Sequence, residues 1–135
     1  MTHDLASYTD GFVPALGLTM THADGDVVRG RIDVTAAQHQ PYGIVHGGVY
    51  CSVVETVASV GGALWFEGRG QVVGVSNTTS FIRAVREGVL SVEATPLHRG
   101  RTQQLWQVFI TDEKDRLIAK GEVRLANLTD PEAIA

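Results

Sequence analysis

Residues 45–66, VHGGVYCSVVETVASVGGALWF, are the stretch of sequence that decides the fold. Branched apolar side chains recur in it at helical spacings, and Ala, Gly, Ser and Cys occupy most positions between them. A run of about 20 residues is too long for a buried strand, so this spacing predicts one long helix. Because β-branched residues are poor helix formers, we expect packing to hold this helix, which is apolar nearly all round.

Strands are predicted on both sides of this helix. Apolar and polar residues alternate within them, and short turns containing Gly and Asp separate them. The predicted strands are residues 18–22, 27–34, 72–83, 89–97, 103–111 and 117–128. Several strands and one buried helix predict the α+β class, in which a curved antiparallel sheet wraps around one long buried α-helix.

Length and composition fit a single folded domain. The 135 residues are 44% hydrophobic and 19% charged, which argues against disorder. We expect the domain to span residues 10–128, with flexible residues 1–9 and 129–135 at its ends. The formal net charge of −4 argues against a sequence-independent nucleic-acid binder, which needs a basic face, so no nucleic-acid partner is expected.

The expected location is the cytoplasm. The chain has one cysteine, Cys51, so a disulfide within the chain is impossible, which suits a reducing compartment. The first residues lack the cationic start and apolar run of a signal peptide. No run of about 18 apolar residues is present, so we expect no membrane span.

Glu55 is the most conspicuous candidate for chemistry. It is the only acidic residue between Asp33 and Glu67, and it lies in the middle of the predicted apolar helix. Burial of an unpaired carboxylate is costly, so Glu55 is expected to be paired, protonated or functional. The alternative is a structural glutamate that reaches a nearby polar group.

His46, Gly47 and Gly48 lie at the predicted start of the helix. Backbone N–H groups there lack partners within the helix, and the helix dipole would stabilise a carbonyl that becomes an oxyanion. The alternative is an ordinary flexible helix start. Gly47 and Glu55 are about 12 Å apart along a helix axis, which is too far for one side chain to span. We therefore expect an obligate homodimer in which Gly47 of one subunit faces Glu55 of the other.

Three further residues near the helix could assist. Ser59 lies one turn after Glu55 and could orient water, or it could bond back to its own backbone. Gln40 could donate to a substrate carbonyl or hold a water molecule, or it could be a plain loop residue. Cys51 could form a nucleophilic pair with His46, although a cysteine on a buried helix is more often inert.

Positive charge gathers in the second half of the chain, at Arg83, Arg86 and the turn of residues 98–101. Arginine forks suit phosphate groups, but arginine-rich turns are often merely solvated. The sequence contains no phosphate-binding loop, no dinucleotide fingerprint and no metal-ligand spacing. We therefore expect no metal site.

The pattern of Gln40, His46-Gly47-Gly48, Glu55 and Ser59 resembles the glutamate-using hotdog-fold thioesterases, the branch of the 4-hydroxybenzoyl-CoA and phenylacetyl-CoA-type enzymes. The second half is most similar to the 1,4-dihydroxy-2-naphthoyl-CoA thioesterases of menaquinone synthesis and to relatives that proofread aryl carrier-protein thioesters. The matching segments are residues 86–88, 96–100, 104–107 and 111–117. The resemblance covers roughly residues 10–128.

This resemblance implies hydrolysis of an aromatic or related acyl-CoA, in which coenzyme A is part of the substrate and no separate cofactor is needed. It implies that Glu55 is the nucleophile or general base and that the Gly47 N–H polarises the thioester carbonyl. His46 and Gln40 would orient the thioester, Ser59 would help place water, and two dimers would form a homotetramer. The residues that would contact coenzyme A are Phe81, Ile82, Arg83, Ala84, His98, Arg99, Gly100, Arg101, Thr102 and Gln103.

Other functions on the same fold stay open from the residues. One is a thioesterase that acts on an aryl or acyl carrier protein, and another is a non-catalytic acyl-CoA-binding hotdog module, which would need an attached DNA-binding segment. A third is a hotdog dehydratase, which would need an Asp paired with His46. Release of free thiol from acyl-CoA, against hydration of enoyl-CoA, separates these functions.

Overall fold

The computed structural model describes residues 8–129, which form six strands and one α-helix. The helix, α1, is Gly47–Trp65. The strands are β1 (Leu18–Ala23), β2 (Val28–Val34), β3 (Gln71–Phe81), β4 (Gly88–Arg99), β5 (Gln103–Thr111) and β6 (Leu117–Leu128). Two short 3₁₀ helices, Val13–Leu16 and Ala36–Gln38, precede α1. The predicted α+β class is confirmed.

The six strands form one antiparallel sheet in the order β1-β2-β4-β5-β6-β3. β3 follows the helix but pairs with β6 at the far edge, so β1 and β3 are the two edge strands. The register sets buried residues of neighbouring strands side by side, as with Val92 and Ile110, or Trp106 and Val123. These rows form the surface on which α1 packs.

Glycines let α1 and the sheet approach each other closely. A Cβ atom on Gly61 of α1 would lie 2.5 Å from the ring of Trp106, which is fully buried on β5. The Trp106 indole N–H donates to Oε1 of Gln104 at 2.8 Å, and the Gln104 amide donates to the Gly62 carbonyl at 3.2 Å. On β6, Gly121 receives the side chain of Val54 in the same way. These contacts fix the rotation of α1 about its axis.

One face of α1 is left uncovered by the sheet. Its small or polar residues recur three or four positions apart, and none of them is fully buried: Gly48, Cys51, Ser52, Glu55, Thr56, Ser59 and Ala63. We call this stripe the open face of α1. The long helix is buried on the side that faces the sheet, as the predicted fold class requires, and one sheet covers only that side. For the same reason Glu55 is exposed, not buried.

Most element boundaries agree with the sequence pattern. β5 and β6 have the predicted limits, whereas α1 starts two residues later than predicted because His46 caps it. β4 extends to Arg99, so the predicted turn at 98–101 is shifted to residues 100–102. The predicted flexible ends lie outside the described residues, apart from residues 8, 9 and 129, and stay a prediction.

By length and apolar composition alone, α1 could also cross a membrane. Half of the tested helix, 50%, is buried inside the fold, which is the pattern of a core helix. A single helix of this kind is weak support for a membrane span, and the prediction of no span is unchanged.

Gly61→Ala tests how α1 packs. Helix propensity alone predicts that alanine stabilises a helix interior by about 1 kcal/mol relative to glycine. The contact with Trp106 predicts the opposite sign, a loss of about 1–3 kcal/mol, because the added methyl group overpacks a fully buried ring. Urea denaturation followed by circular dichroism measures the sign. A variant more stable than the wild type would contradict this packing.

Candidate active site

The start of α1 presents an unpaired backbone N–H group. His46 is the N-cap: its Nδ1 accepts a hydrogen bond from the Gly48 N–H at 2.7 Å, and its carbonyl accepts one from the Val49 N–H at 2.9 Å. Among residues 8–129, the Gly47 N–H has no acceptor. Because the dipole places positive charge at this end, the Gly47 N–H can donate to a carbonyl oxygen that gains negative charge.

A cavity of about 240 Å³ lies beside this N–H group, and we call it the Gly47 cavity. Gln40 is half-buried in its wall, and its Oε1 accepts a hydrogen bond from the Tyr42 N–H. The Gln40 NH₂ group has no partner in residues 8–129, so it is free to donate. The other lining residues are mostly apolar: Ile44, Val45, Gly47, Tyr50, Phe81, Ile82, Arg83 and Ala84. The residues predicted to contact coenzyme A form two segments, 81–84 and 98–103. The structure brings Gln40 and Gly47 together with the first of these segments.

Phe81 and Arg83 are exposed residues of this cavity wall. The Phe81 ring packs over Gly47, where a Cβ atom would lie 2.4 Å from the ring, so this contact requires glycine. The Arg83 guanidinium makes no hydrogen bond or ion pair within the described chain. A free guanidinium beside the cavity is available to a phosphate group.

Glu55 lies elsewhere, in the middle of the open face of α1. Its exposed side chain makes no hydrogen bond or ion pair with residues 8–129, so the structural partner considered as an alternative is not found there. Glu55 lines a smaller hollow of about 160 Å³ with Phe12, Cys51, Ser52, Thr56 and Asn77. This hollow and the Gly47 cavity share no residue. One chain therefore keeps the two predicted halves of the site apart.

The hydroxyl groups on the open face behave in two ways. Those of Ser52 and Thr56 donate to the carbonyls of Gly48 and Ser52, four residues earlier, each at 2.7 Å. Ser59 makes no such bond and no other within the described residues. Its hydroxyl is therefore available one turn beyond Glu55, as the water-placing role requires.

Cys51 lines the hollow of Glu55 but has no activating partner. Its carbonyl accepts a hydrogen bond from Nδ2 of Asn77 at 2.9 Å, which ties α1 to β3. Within the described chain no hydrogen bond joins Cys51 to His46, whose Nδ1 already serves the cap. A Cys-His nucleophile therefore has no structural support. In residues 8–129 no group of three or more His, Cys, Asp or Glu side chains could hold a metal ion.

The second predicted coenzyme A segment, residues 98–103, lies at the opposite end of α1. Nη1 of Arg99 donates to the Gly25 carbonyl at 2.6 Å and to the Asp26 carboxylate at 2.9 Å, and the guanidinium is 5.4 Å from the centroid of the Trp65 ring. A helix of this length spans roughly 28 Å. A single chain therefore does not bring the two predicted coenzyme A segments together.

Sequence reasoning missed Tyr50, which lines the Gly47 cavity. The residue is 3% exposed, and its ring centroid is 6.1 Å from that of Phe81. Its hydroxyl is the only buried side-chain polar atom in residues 8–129 without a hydrogen-bond partner. Burial raises the pKa of Tyr50 to about 12, so the hydroxyl stays protonated near neutral pH. The sequence shows only that Tyr50 is a polar aromatic residue among the valines of the helix. It does not show whether its hydroxyl has a hydrogen-bond partner.

One antiparallel sheet with a long helix packed across it is the architecture of the hotdog fold. A sequence model of the thioesterase superfamily matches residues 42–119, which is more than half of the chain. The chain therefore belongs to the thioesterase superfamily, and the family resemblance predicted from the sequence is confirmed.

Curated relatives agree with this family. A Mycobacterium tuberculosis H37Rv protein named "Putative esterase Rv1847" is 47% identical over 120 residues, which cover 87% of this chain and 86% of the relative. The 1,4-dihydroxy-2-naphthoyl-CoA hydrolase of Escherichia coli K12 is 34% identical over 113 residues, covering 84% and 83%. The proofreading thioesterase EntH of Klebsiella pneumoniae is 35% identical over 111 residues, covering 82% and 81%. The chain is a thioester hydrolase.

Solved structures share the architecture. The thioesterase HI1161 of Haemophilus influenzae matches with a TM-score of 0.87 and 30% identity, covering 96% of this chain and 95% of that one. The structure of the M. tuberculosis relative matches with a TM-score of 0.84 and 47% identity, covering 87% and 95%. The predicted hotdog fold is confirmed.

His46→Ala and His46→Asn separate capping from other roles of this side chain. Alanine removes the acceptor for the Gly48 N–H and should lower the free energy of unfolding by about 1 kcal/mol. Asparagine is a good N-cap residue and should restore most of that loss. Equilibrium urea denaturation compares the two variants. Equal losses would contradict the capping role.

Proposed function

We propose that this chain hydrolyses the thioester of an aromatic acyl-CoA to the free acid and coenzyme A. The observation that carries the proposal is a pair of unpartnered donors, the Gly47 N–H and the Gln40 amide, in a mostly apolar cavity. Such a cavity suits an apolar acyl group and offers hydrogen bonds to its carbonyl. The similarity to 1,4-dihydroxy-2-naphthoyl-CoA hydrolase supports an aromatic acyl group and a place in menaquinone synthesis.

The chemistry divides between the two ends of the site. The Gly47 N–H donates to the thioester oxygen and stabilises the charge that develops as a nucleophile adds to the carbonyl carbon. Glu55 either attacks that carbon itself or removes a proton from an attacking water, which Ser59 helps to place. The C–S bond then breaks and the thiolate leaves. If water attacks, this step gives the free acid, and Glu55 passes the proton it took from that water to the thiolate. If Glu55 attacks, the acyl group is held on its carboxylate as an anhydride until a water molecule hydrolyses it to the free acid and restores Glu55, and the proton released from that water balances the thiolate. No metal or separate cofactor takes part.

The complete site contains residues from two subunits. Gly47 and Glu55 are fixed on one rigid helix about 12 Å apart, and each borders its own hollow. Two copies of α1 packed antiparallel through their open faces would set Gly47 of one subunit opposite Glu55 of its partner. This arrangement also covers the carboxylate that the single chain leaves exposed.

β3 is the strand that supports such a dimer. It is an edge strand of 11 residues, whereas β1, the other edge strand, has 6. Val75 on β3 is 57% exposed, and Gly74 lies close to the Glu55 side chain. Long exposed edges with apolar residues favour pairing with another strand. Pairing of β3 with its copy would join two sheets and place the open faces of the two α1 helices side by side.

The same dimer accounts for the separation of the coenzyme A segments. In an antiparallel pair, the end of one α1 lies near the start of the other, so residues 98–103 of one subunit approach the Gly47 cavity of its partner. The guanidinium groups of Arg83 at that cavity and of the exposed Arg101 have no partners within residues 8–129 and are available to the phosphates of coenzyme A. We propose that two such dimers form a homotetramer in the cytoplasm.

A carrier-protein thioester is the second substrate class with specific support. The similarity to the proofreading thioesterase EntH favours it, and the acyl end of such a substrate would occupy the same cavity. Comparing an acyl-CoA with the same acyl group on a carrier protein decides between the two.

Glu55→Ala is expected to fold and to lose activity. The side chain has no partner in the described chain, so the melting temperature should be almost unchanged. Loss of a positioned acid-base group should lower kcat by about 10²–10⁴-fold, and loss of a nucleophile by more. A thiol-trapping assay on aryl, short-chain and long-chain acyl-CoA esters measures this, with Glu67→Ala as the matched control at an exposed glutamate. Near wild-type turnover by Glu55→Ala would overturn the mechanism.

Val75→Lys is expected to break the dimer. A lysine on the exposed strand edge opposes pairing with another strand, so the mass in solution should fall to that of a monomer and thiol release should be lost. Size-exclusion chromatography with light scattering measures the mass. Val89→Lys makes the same change at another exposed valine on β4 and should leave the dimer intact. A dimeric and active Val75→Lys variant would contradict pairing through β3.

A further inference from the structure

The Tyr50 hydroxyl is a buried polar group that the proposed chemistry does not use, and it belongs to a residue that lines the Gly47 cavity. It lacks a hydrogen-bond partner in residues 8–129, although the side chain is 3% exposed. An unpaired buried hydroxyl costs free energy, and phenylalanine would fill the same space without that cost. The stability of the fold therefore does not explain why residue 50 is tyrosine and not phenylalanine.

Tyr50 lies close to the place where the carbonyl of a bound thioester is proposed to sit. It lies one turn after Gly47 on α1, and side chains of a helix lean toward the helix N-terminus. Tyr50 lines the same cavity as Gly47 and Gln40, beside the Phe81 ring. A group bound at the Gly47 N–H is therefore a close neighbour of Tyr50.

The Phe81 ring lies over Gly47 and beside Tyr50 in the free chain. Atoms of its ring lie 2.4–3.0 Å from the position of a Cβ on Gly47, so an acyl group seated over Gly47 takes space that the ring occupies. Phe81 is 57% exposed at the end of an edge strand, so little packing opposes its outward rotation. An acyl group that displaced the ring would lie beside Tyr50, because Tyr50 and Phe81 line the same cavity with their ring centroids 6.1 Å apart.

We propose that the Tyr50 hydroxyl is a specificity-determining hydrogen-bond donor to an oxygen substituent on the acyl group, and this inference rests on the proposed thioesterase function. The substrate class is an acyl thioester whose aryl group carries a hydroxyl or keto oxygen. The buried hydroxyl lies away from solvent, whereas the coenzyme A chain must leave the cavity past the exposed Arg83, so the acyl end is the part that reaches Tyr50. The apolar wall residues Ile44, Val45 and Ile82 offer no hydrogen bond to such an oxygen.

Tyr50→Phe removes the oxygen atom and keeps the ring. The probes are benzoyl-CoA and the 2-, 3- and 4-hydroxybenzoyl-CoA esters, assayed by thiol release. The wild type should prefer at least one hydroxybenzoyl isomer over benzoyl-CoA by about 10–100-fold in kcat/KM, because the hydroxyl, unpaired in the free chain, gains a hydrogen bond only when the ester carries an oxygen. Tyr50→Phe should lose that preference through a fall on the hydroxybenzoyl ester, with benzoyl-CoA changed by less than about twofold.

Controls separate recognition from a structural role. The melting temperature of Tyr50→Phe should equal or exceed that of the wild type, because an unpaired buried hydroxyl is removed. Tyr8→Phe makes the same change at a half-buried tyrosine beside Ala63, near the other end of α1, and should not alter the preference. The proposal would be overturned if the wild type showed no preference between the esters. It would also be overturned if Tyr50→Phe lost kcat/KM equally on benzoyl and hydroxybenzoyl esters, with or without a lowered melting temperature.

Binding measurements distinguish this inference from the proposed function itself. If the wild type releases no thiol from any ester, the hydrolytic function fails, but Tyr50 can still be tested by calorimetric titration of Glu55→Ala. That variant should bind the preferred hydroxybenzoyl-CoA more tightly than benzoyl-CoA, and adding Tyr50→Phe should abolish the difference. Equal affinities in Glu55→Ala would overturn the role of Tyr50 independently of catalysis.

Discussion

A single sheet can cover one side of a long helix, and this constraint governs the molecule. α1 meets β5 and β6 so closely that Gly61 and Gly121 are needed to make room for Trp106 and Val54. That contact fixes which residues point away from the sheet. The stripe left over is small and polar, and it contains Glu55 and Ser59 without partners in residues 8–129. The uncovered side is thus the incomplete part of the fold, and we propose that it also carries the chemistry.

The rigidity of α1 is equally important. A helix holds its first N–H group and a side chain two turns later at a fixed separation, so no local motion brings Gly47 to Glu55. His46 reinforces this by capping the Gly48 N–H and leaving the Gly47 N–H free. An acyl group bound at Gly47 therefore needs a carboxylate from elsewhere. In the proposed dimer, a second copy of the same helix, running in the opposite direction, would supply one while covering the open face.

The sequence was most informative where local patterns decide structure. β5, β6 and α1 were predicted almost to the residue, because alternation and helical spacing are properties of short segments. The expectation that Glu55 is buried failed because exposure depends on how far the sheet reaches around the helix. The sequence also did not show that residues 81–84 and 98–103 lie at opposite ends of α1, because that separation depends on the topology of the sheet. Tyr50 was missed because an unpaired hydroxyl is a property of its neighbours, which a linear pattern does not contain.

The most direct test of this account asks whether one functional site can be assembled from two defective subunits. Glu55→Ala and Gly47→Val chains, each carrying a different affinity tag, are coexpressed, and dimers that contain both chains are isolated. In such a dimer, Gly47 of the first chain can face Glu55 of the second. We predict thiol release on the order of a quarter to a half of the wild-type rate, against almost none for either variant alone. Mixed dimers as inactive as the two parents would contradict the shared site.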